Sequence, residues 1–295
     1  MRRPSVPAWD GANRNLPAPD FWHNSGVRPR IFFAAAAFGL VVSAQSSLAP
    51  GNALDVQGKG AEARAFFQKA IDSAGSPEAK AQAERAMAMS WAFESNCAKA
   101  VEYEQKVIDY WTTQEAAQPG NAFYQEGEMA NEGARVCIDS GDLDTAAKWY
   151  RKGHDLGLRE PGISEDRKAL WGFRLEHAEA RIAARRGNRA EAEKHVAAAK
   201  AALEKMTASR AQQQAFLPYL TGYVALYLGD YKAALDDLLK AQKDPFTQCL
   251  LGQTYEKLGE HDKAMEQYRL AAAANGHNPP AAYGIPFAKK KLAER

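Results

Sequence analysis

Apolar and small residues recur at helical spacing along most of the chain, and polar positions divide them into short amphipathic segments. From residue 60 onward alanine is abundant and β-branched residues are sparse. This composition favours helix, because alanine loses no side-chain entropy there whereas Val, Ile and Thr lose χ1 freedom. No run of alternating apolar and polar residues is long enough to predict a strand. The pattern therefore predicts an all-α fold.

One spacing repeats within this pattern: a turn glycine, a small residue five positions later, a large apolar residue four further on, and a small residue three beyond that. In the last copy these residues are Gly259, Ala264, Tyr268 and Ala271. Four more copies begin at Gly58, Gly141, Gly187 and Gly229. A weaker sixth copy begins at Ser95 and carries Glu104 where an apolar residue is expected. We interpret the glycine as the end of one helix, and the small residues as points where a neighbouring helix approaches closely.

This pattern resembles the tetratricopeptide repeat family, and the last copy matches best, with Gly252 and Tyr255 at the small and aromatic positions of its first helix. The resemblance implies a superhelical solenoid of stacked antiparallel helical hairpins, with about six units over residues 50–275. The period is irregular, since Gly141 and Gly187 are 46 residues apart but Gly229 and Gly259 only 30. We therefore expect longer middle helices or extra structure in the linkers. Residues 276–295 are expected to form a capping tail, with a proline break and a short solvated helix from Pro286.

The N-terminal residues have the order of a secretory signal. In residues 27–44, Arg28 and Arg30 precede an apolar run, and Val42-Ser43-Ala44 provides small residues for signal peptidase. The run is about 12 residues, shorter than the roughly 20 that span a bilayer; a membrane anchor and a buried core helix are the alternatives. Residues 1–26 are rich in Pro, Gly and Asn, which predicts a disordered leader. One hypothesis is that translation starts at Val27, which recovery of a peptide from residues 4–26 by mass spectrometry would contradict.

Composition and motifs give no support for catalysis. The 38 basic and 36 acidic residues nearly balance, whereas a nucleic-acid partner usually requires a strongly basic domain. The sequence contains no HExxH, GxxxxGK, GxSxG or paired CxxC motif, and its six histidines lack ligand spacing. Carboxylates such as Glu176 and Glu179 occur in patterns typical of a solvated helix face. We therefore expect no catalytic residue, no metal site and no cofactor.

Two of the three cysteines are expected to lie close together in the repeat frame. Cys97 is placed near the start of one unit's second helix, and Cys137 near the end of the next unit's first helix. These two helix ends are neighbours in an antiparallel stack, and disulfides persist in exported proteins. The repeat frame permits either a Cys97–Cys137 disulfide or two small buried free thiols, and the sequence does not decide between them.

The family resemblance implies that the first helices line a concave groove. The implied groove positions with amide or basic side chains are Asn131, Arg135, Arg174, His177, Arg181 and Arg185. They suit an acidic peptide or a free carboxylate, because Arg binds carboxylates bidentately; a solvated helix face is the alternative. Farther along, an aromatic stripe lies on one side of a helix: Phe216, Tyr219, Tyr223 and Tyr227. It is either a contact surface of the groove or part of the core.

These observations together predict a non-catalytic scaffold or adaptor that binds a protein or peptide in its concave groove. It is expected to be exported, either periplasmic or secreted, and to contact a membrane only through an uncleaved signal. The alternatives are a binding module for a glycan or lipid that uses the tyrosine stripe, and an accessory subunit of an envelope enzyme complex.

Overall fold

The computed structural model describes residues 48–294. The leader (1–26) and the signal segment (27–44) lie outside the described residues. Helices occupy most of residues 48–294, and that range contains no strand, so the predicted all-α fold is confirmed. None of the described helices is both long enough and apolar enough to cross a membrane.

The helices follow one another through short turns. The first, α1, spans residues 48–56. The next six are α2 (Gly60–Asp72), α3 (Pro77–Phe93), α4 (Cys97–Thr112), α5 (Pro119–Ser140), α6 (Leu143–Leu158) and α7 (Glu165–Arg185). The remainder are α8 (Arg189–Glu204), α9 (Arg210–Gln214), α10 (Leu217–Leu228), α11 (Tyr231–Leu238), α12 (Pro245–Lys257), α13 (His261–Ala272) and α14 (Pro279–Ala293).

Six of the described helix pairs form the stacked hairpins of a tetratricopeptide-like solenoid: α1–α2, α3–α4, α5–α6, α7–α8, α10–α11 and α12–α13. The long spacings in the middle have two causes. Helices α5 and α7 contain 22 and 21 residues, and the five-residue helix α9 is inserted between α8 and α10. The spacing of the glycines predicted one or the other, and both are present; the inserted helix lies in the connection between α8 and α10.

The turn within each hairpin combines a left-handed residue with a helix cap. The five repeat glycines all have positive φ, from 72° at Gly187 to 92° at Gly141. Ser95 takes this place in the weak sixth copy, with a φ of 55°. In three of the turns, the side chain of the residue after the left-handed one accepts a hydrogen bond from the backbone N–H three residues later. These capping residues are Asn96, Asp142 and Asn188. One residue thus ends the first helix and the next one starts the second.

The second and third hairpins are linked covalently. Cys97 is the first residue of α4, Cys137 lies near the end of α5, and their sulfur atoms are bonded at 2.04 Å. Cys249 is the free cysteine of the described chain, and it is buried in α12.

Helix α14 closes the superhelix. It begins at Pro279 and passes through Pro286, so the expected solvated helix from Pro286 is wrong. Asn278 caps it by accepting a hydrogen bond from the N–H of Ala281, and proline at the first helical position is pre-organised for a helix start. The helix packs against α12 and α13, and also against α3 and α5. It therefore contacts both ends of the stack and covers much of the inner face.

Candidate functional site

The predicted groove residues lie inside the molecule. Asn131 and Arg135 are on α5, the four basic residues from Arg174 to Arg185 are on α7, and the tyrosines are on α10 just after Phe216. Eight of the ten are at most 8% exposed, and the other two, Arg185 and Tyr227, are half-buried. The face of the helices on which they lie is therefore packed rather than open.

Six of these residues form one group, which we call the arginine–tyrosine cluster: Arg135, Arg181, Arg185, Tyr219, Tyr223 and Tyr227. Arg181 donates hydrogen bonds to the hydroxyls of Tyr150 at 2.8 Å and Tyr219 at 3.3 Å. Arg185 donates to the hydroxyls of Tyr223 at 3.4 Å and Tyr227 at 3.5 Å. Helices α7 and α10 are thus joined by guanidinium–phenol contacts along the inner face.

Arg135 completes the cluster from α5. Its Nε donates to Asp139 at 3.2 Å, and its guanidinium carbon lies 4.2 Å from the ring centre of Phe246. Tyr283 of α14 packs on that same Phe246 ring, with ring centres 4.8 Å apart. The C-terminal helix therefore covers the Arg135 side of the cluster.

The cluster carries excess positive charge. Its three guanidinium groups remain charged at all physiological pH values. Two carboxylates lie near them, Asp139 and Asp244; burial raises the pKa of both, while Arg135 opposes the rise. Even with both carboxylates ionised, three positive charges face two negative ones. An anionic group is the ligand that this excess would accept.

The histidine and the buried tyrosines at the cluster are neutral. Burial, together with Arg181 and Arg135, holds the pKa of His177 well below its usual value, and the ring stacks on Tyr219 at 5.5 Å. Burial raises the pKa of Tyr219 and Tyr223, so that both keep their protons. His177 therefore adds no charge, and the tyrosine hydroxyls act as neutral hydrogen-bonding groups.

The remaining predicted residues lie apart from the cluster. Arg174 forms a buried ion pair with Glu128 and donates to the hydroxyl of Tyr124 at 2.9 Å. Asn131 is 1% exposed and lies beside Gly153 of α6. Phe216 is 7% exposed at the start of α10.

A group of buried carboxylates was missed by the sequence analysis. Glu104, Glu128 and Glu132 are each at most 2% exposed. Glu132 accepts two hydrogen bonds from Arg85, at 3.1 and 2.6 Å. The signal available in the sequence was the spacing of Glu128, Asn131, Glu132 and Arg135, which places all four on one face of α5.

The buried carboxylates predict that stability falls as pH rises. Burial raises the pKa of Glu128 to about 7, with Arg174 opposing the rise, whereas an unfolded glutamate titrates near about 4.3. Between these values the folded state binds more protons than the unfolded state. The proton on Glu128 therefore contributes its full stabilisation to the fold below the unfolded pKa. That stabilisation is lost as pH rises through the folded pKa, and the free energy of unfolding falls by up to about 1.4 kcal/mol per pH unit.

Urea unfolding at several pH values between about 5 and about 8 tests this prediction in wild type and Glu128→Gln. The absolute stability of Glu128→Gln is lower, because Arg174 loses its ionic partner, but its decline with pH should be shallower. Glu165→Gln, which removes an exposed carboxylate, should keep the wild-type slope. Parallel curves for wild type and Glu128→Gln would contradict the assignment.

Within residues 48–294, no group of three or more His, Cys, Asp or Glu side chains is placed to bind a metal ion. Helical repeat folds of this kind are typically non-enzymatic.

Comparison with known proteins supports the same class. Residues 247–278 match the tetratricopeptide repeat. This segment contains nearly all of α12, all of α13 and the turn that leads to α14. No curated protein matches the chain. Repeats of this family generally serve as protein-interaction scaffolds, and one such repeat is present here.

Proposed function

We propose that this protein is a non-catalytic adaptor that binds a protein or peptide partner through the inner face of its superhelix. The observation that carries the proposal is the arginine–tyrosine cluster, in which three successive hairpins bring guanidinium and phenol groups together with excess positive charge. A solenoid whose inner face was purely structural would be expected to hold apolar side chains there, because burying charge costs free energy.

The partner group is proposed to be a carboxylate, either a free C-terminus or an acidic side chain. Arg185 and Tyr227 are the half-buried members of the cluster and form its accessible edge, so they are the first contacts. Arg181 and Tyr223 lie directly behind them. Arg135, His177 and Tyr219 pack beside these four residues. The other predicted residues lie apart from them: Asn131, Arg174 and Phe216.

Affinity capture from an envelope extract tests the proposal with Arg185→Gln and a matched control, Arg151→Gln. Arg151 is an arginine on α6 whose side chain is 66% exposed. A partner should be captured by wild type and by Arg151→Gln. Capture by Arg185→Gln should fall at least about tenfold, as loss of a charge-assisted hydrogen bond implies. A peptide from the partner's contact region should bind more weakly once its carboxylate is amidated.

Two outcomes would contradict this proposal. Equal capture by wild type and Arg185→Gln would place the binding surface elsewhere on the solenoid. A captured glycan or lipid that is lost with Tyr223→Ala but kept by Arg185→Gln would identify a non-protein ligand stacked on the aromatic side chains.

We also propose that the adaptor is exported. The signal-like order of residues 27–44 predicts export, and the Cys97–Cys137 disulfide supports it, because disulfides persist mainly in oxidising compartments. Mass spectrometry of the protein from a fractionated cell should find a mature N-terminus at Gln45 in the envelope or medium. Recovery of peptides from residues 27–44 in a cytoplasmic pool alone would contradict export.

A further inference from the structure

Helix α14 occupies a surface on the inner face that is built from three other helices. We call it the α14-binding surface, and it consists of Met89, Ala92 and Phe93 of α3, Val136 of α5, and Pro245, Phe246 and Cys249 of α12. The α3 and α5 residues pack against Ala281, Ala282 and Ile285 of α14. On the α12 side, the sulfur of Cys249 lies 3.3 Å from the carbonyl oxygen of Gly284.

This surface fits a helix only if certain positions of that helix are small. Ala281, Ala282 and Ala288 are at most 2% exposed, and Gly284 is buried between them. A Cβ atom on Gly284 would lie 2.6 Å from the backbone carbonyl carbon and oxygen of Pro245, atoms that cannot move aside as a side chain can. The contact between the two backbones therefore requires Gly at position 284, and the buried positions around it are filled by Ala.

Polar contacts hold both ends of α14. Before the helix, His277 lies between the rings of Phe67 and Phe93, and its Nε2 is 2.8 Å from a carboxylate oxygen of Asp55. At the other end, Lys289 donates to the carbonyl oxygen of Val56 at 2.6 Å, and Lys291 pairs with Glu256 at 3.0 Å. The surface is thus complementary to a helix with basic side chains near its C-terminus.

The sequence of α14 is poorly suited to form a helix by itself. Gly284 and Pro286 both lie in its interior, and these are the two residue types least favourable there. Pro286 also lacks the N–H that would bond to the preceding turn. Helix α14 depends on packing against its surface, and it belongs to none of the six hairpins. Each of the six hairpins pairs two helices other than α14, and residues 273–278 connect α14 to the last of them.

We infer that the α14-binding surface is a docking site for a helix of a partner protein, and that α14 occupies this site in the free protein until the partner helix displaces it. The partner helix would carry Gly at the position of Gly284 and Gly or Ala at those of Ala281, Ala282 and Ala288, with Lys or Arg near its C-terminus. The inference rests on the proposed function, since it names the structural class of the partner and the step that opens the inner face.

Release of α14 also connects this site to the arginine–tyrosine cluster. Pro279, Ala282 and Tyr283 of α14 cover Asp139, the ionic partner of Arg135, across a cavity of about 10 Å³. This volume holds one water molecule at most. Displacement of α14 would uncover Asp139, Arg135 and Phe246, and would give a partner access to the Arg135 side of the cluster.

The test uses the full chain with Gly284→Ala and a matched control, Gly172→Ala. Both glycines lie inside helices, but a Cβ on Gly172 would meet nothing within 4 Å, whereas one on Gly284 would meet the Pro245 backbone. The probe is a fluorescent synthetic peptide of residues 277–294. The measurements are hydrogen–deuterium exchange of residues 279–293 and fluorescence anisotropy of the peptide.

In Gly284→Ala we expect the amides of α14 to exchange at least about tenfold faster, while α3 to α8 keep their protection. The peptide should bind Gly284→Ala at least about tenfold more tightly than wild type or Gly172→Ala, because in those chains the surface is filled. A peptide with Leu in place of Ala282 should bind at least about tenfold more weakly. Excess wild-type peptide should also accelerate exchange of the α14 of the unmodified chain, a result that requires no variant to fold.

The inference is overturned if α14 exchanges only with the whole molecule and excess peptide does not accelerate its exchange, or if the Leu peptide binds as well as the wild-type one. Dimers that exchange α14 between two chains would also overturn it, since the occupant would then be a second copy.

If the peptide binds as expected but Arg185→Gln still captures every partner, the proposed function fails alone. If Arg185→Gln loses its partner while α14 never leaves, this inference fails alone.

Discussion

Replacing Arg174 by methionine is expected to lower the free energy of unfolding by about 3–5 kcal/mol near pH 8. This is the usual cost of removing one partner of a buried ion pair, because the other charge stays buried without compensation. Arg174 and Glu128 are 4% and 2% exposed, so water cannot replace the lost charge. The substitution also removes the hydrogen bond to Tyr124 and the stacking of the guanidinium over Trp171, 4.8 Å away.

The size of this loss should depend on pH in a direction fixed by Glu128. Arg174 lowers the pKa of Glu128 against the rise caused by burial, so its removal raises that pKa further. At about pH 5 the carboxyl group of the variant is then protonated, and the loss should be smaller than at about pH 8.

Denaturant unfolding of Arg174→Met at both pH values checks the prediction. Arg151→Met, which breaks an exposed pair with Glu179, should cost less than about 1 kcal/mol. The double variant Arg174→Met with Glu128→Met should recover much of the loss, because it removes both charges of the pair and leaves neither one buried without its partner. An equal loss at both pH values, or no recovery in the double variant, would show that Glu128 is not the cause.

The second large effect is expected from the disulfide. Removing it by Cys97→Ser with Cys137→Ser should lower the free energy of unfolding by about 2–5 kcal/mol, because the bond restricts the unfolded chain. Its two cysteines are 40 residues apart, a separation for which the chain-entropy model gives about 4 kcal/mol. The bond joins the start of α4 to the end of α5, so its loss frees the second hairpin from the third.

Urea unfolding with and without a reducing agent makes the comparison. Wild type should lose stability on reduction, and the double serine variant should be insensitive to it. Cys249→Ala is the control, since this cysteine is free and buried; it should keep the wild-type response to reduction. Thiol titration of the unreduced, denatured protein should find one thiol, and three would contradict the disulfide.

The sequence predicted the local structure of this protein well, because that structure depends on contacts between near neighbours. Helix ends follow from a glycine that adopts positive φ and a capping Asn or Asp after it, as at Gly141 and Asp142. The same repeat frame predicts that Cys97 lies beside Cys137, and the two are bonded. Even the weak copy was found, although Ser95 takes the place of the glycine in its turn.

Glu104 shows where a repeat pattern stops being informative. It occupies a position that is apolar in the other copies, and it is 1% exposed. Burial and the nearby Glu132 raise its pKa well above the usual value. Nothing near Glu104 in the sequence shows this environment, because Glu132 and Arg85 come from the neighbouring helices α5 and α3.

What the sequence by itself determined, then, was the order of the helices, their turns and the faces on which the arginines and tyrosines lie. Only the tertiary structure decided that this inner face is covered. The covering depends on contacts such as His277 with Asp55, which are 222 residues apart in sequence. Periodicity reports which residues share one side of a helix, but a concave side and a packed side have the same period. The position of α14 distinguishes them, and that position is set by packing against helices α3 and α5 and against α12 and α13, two pairs that are distant from each other in sequence.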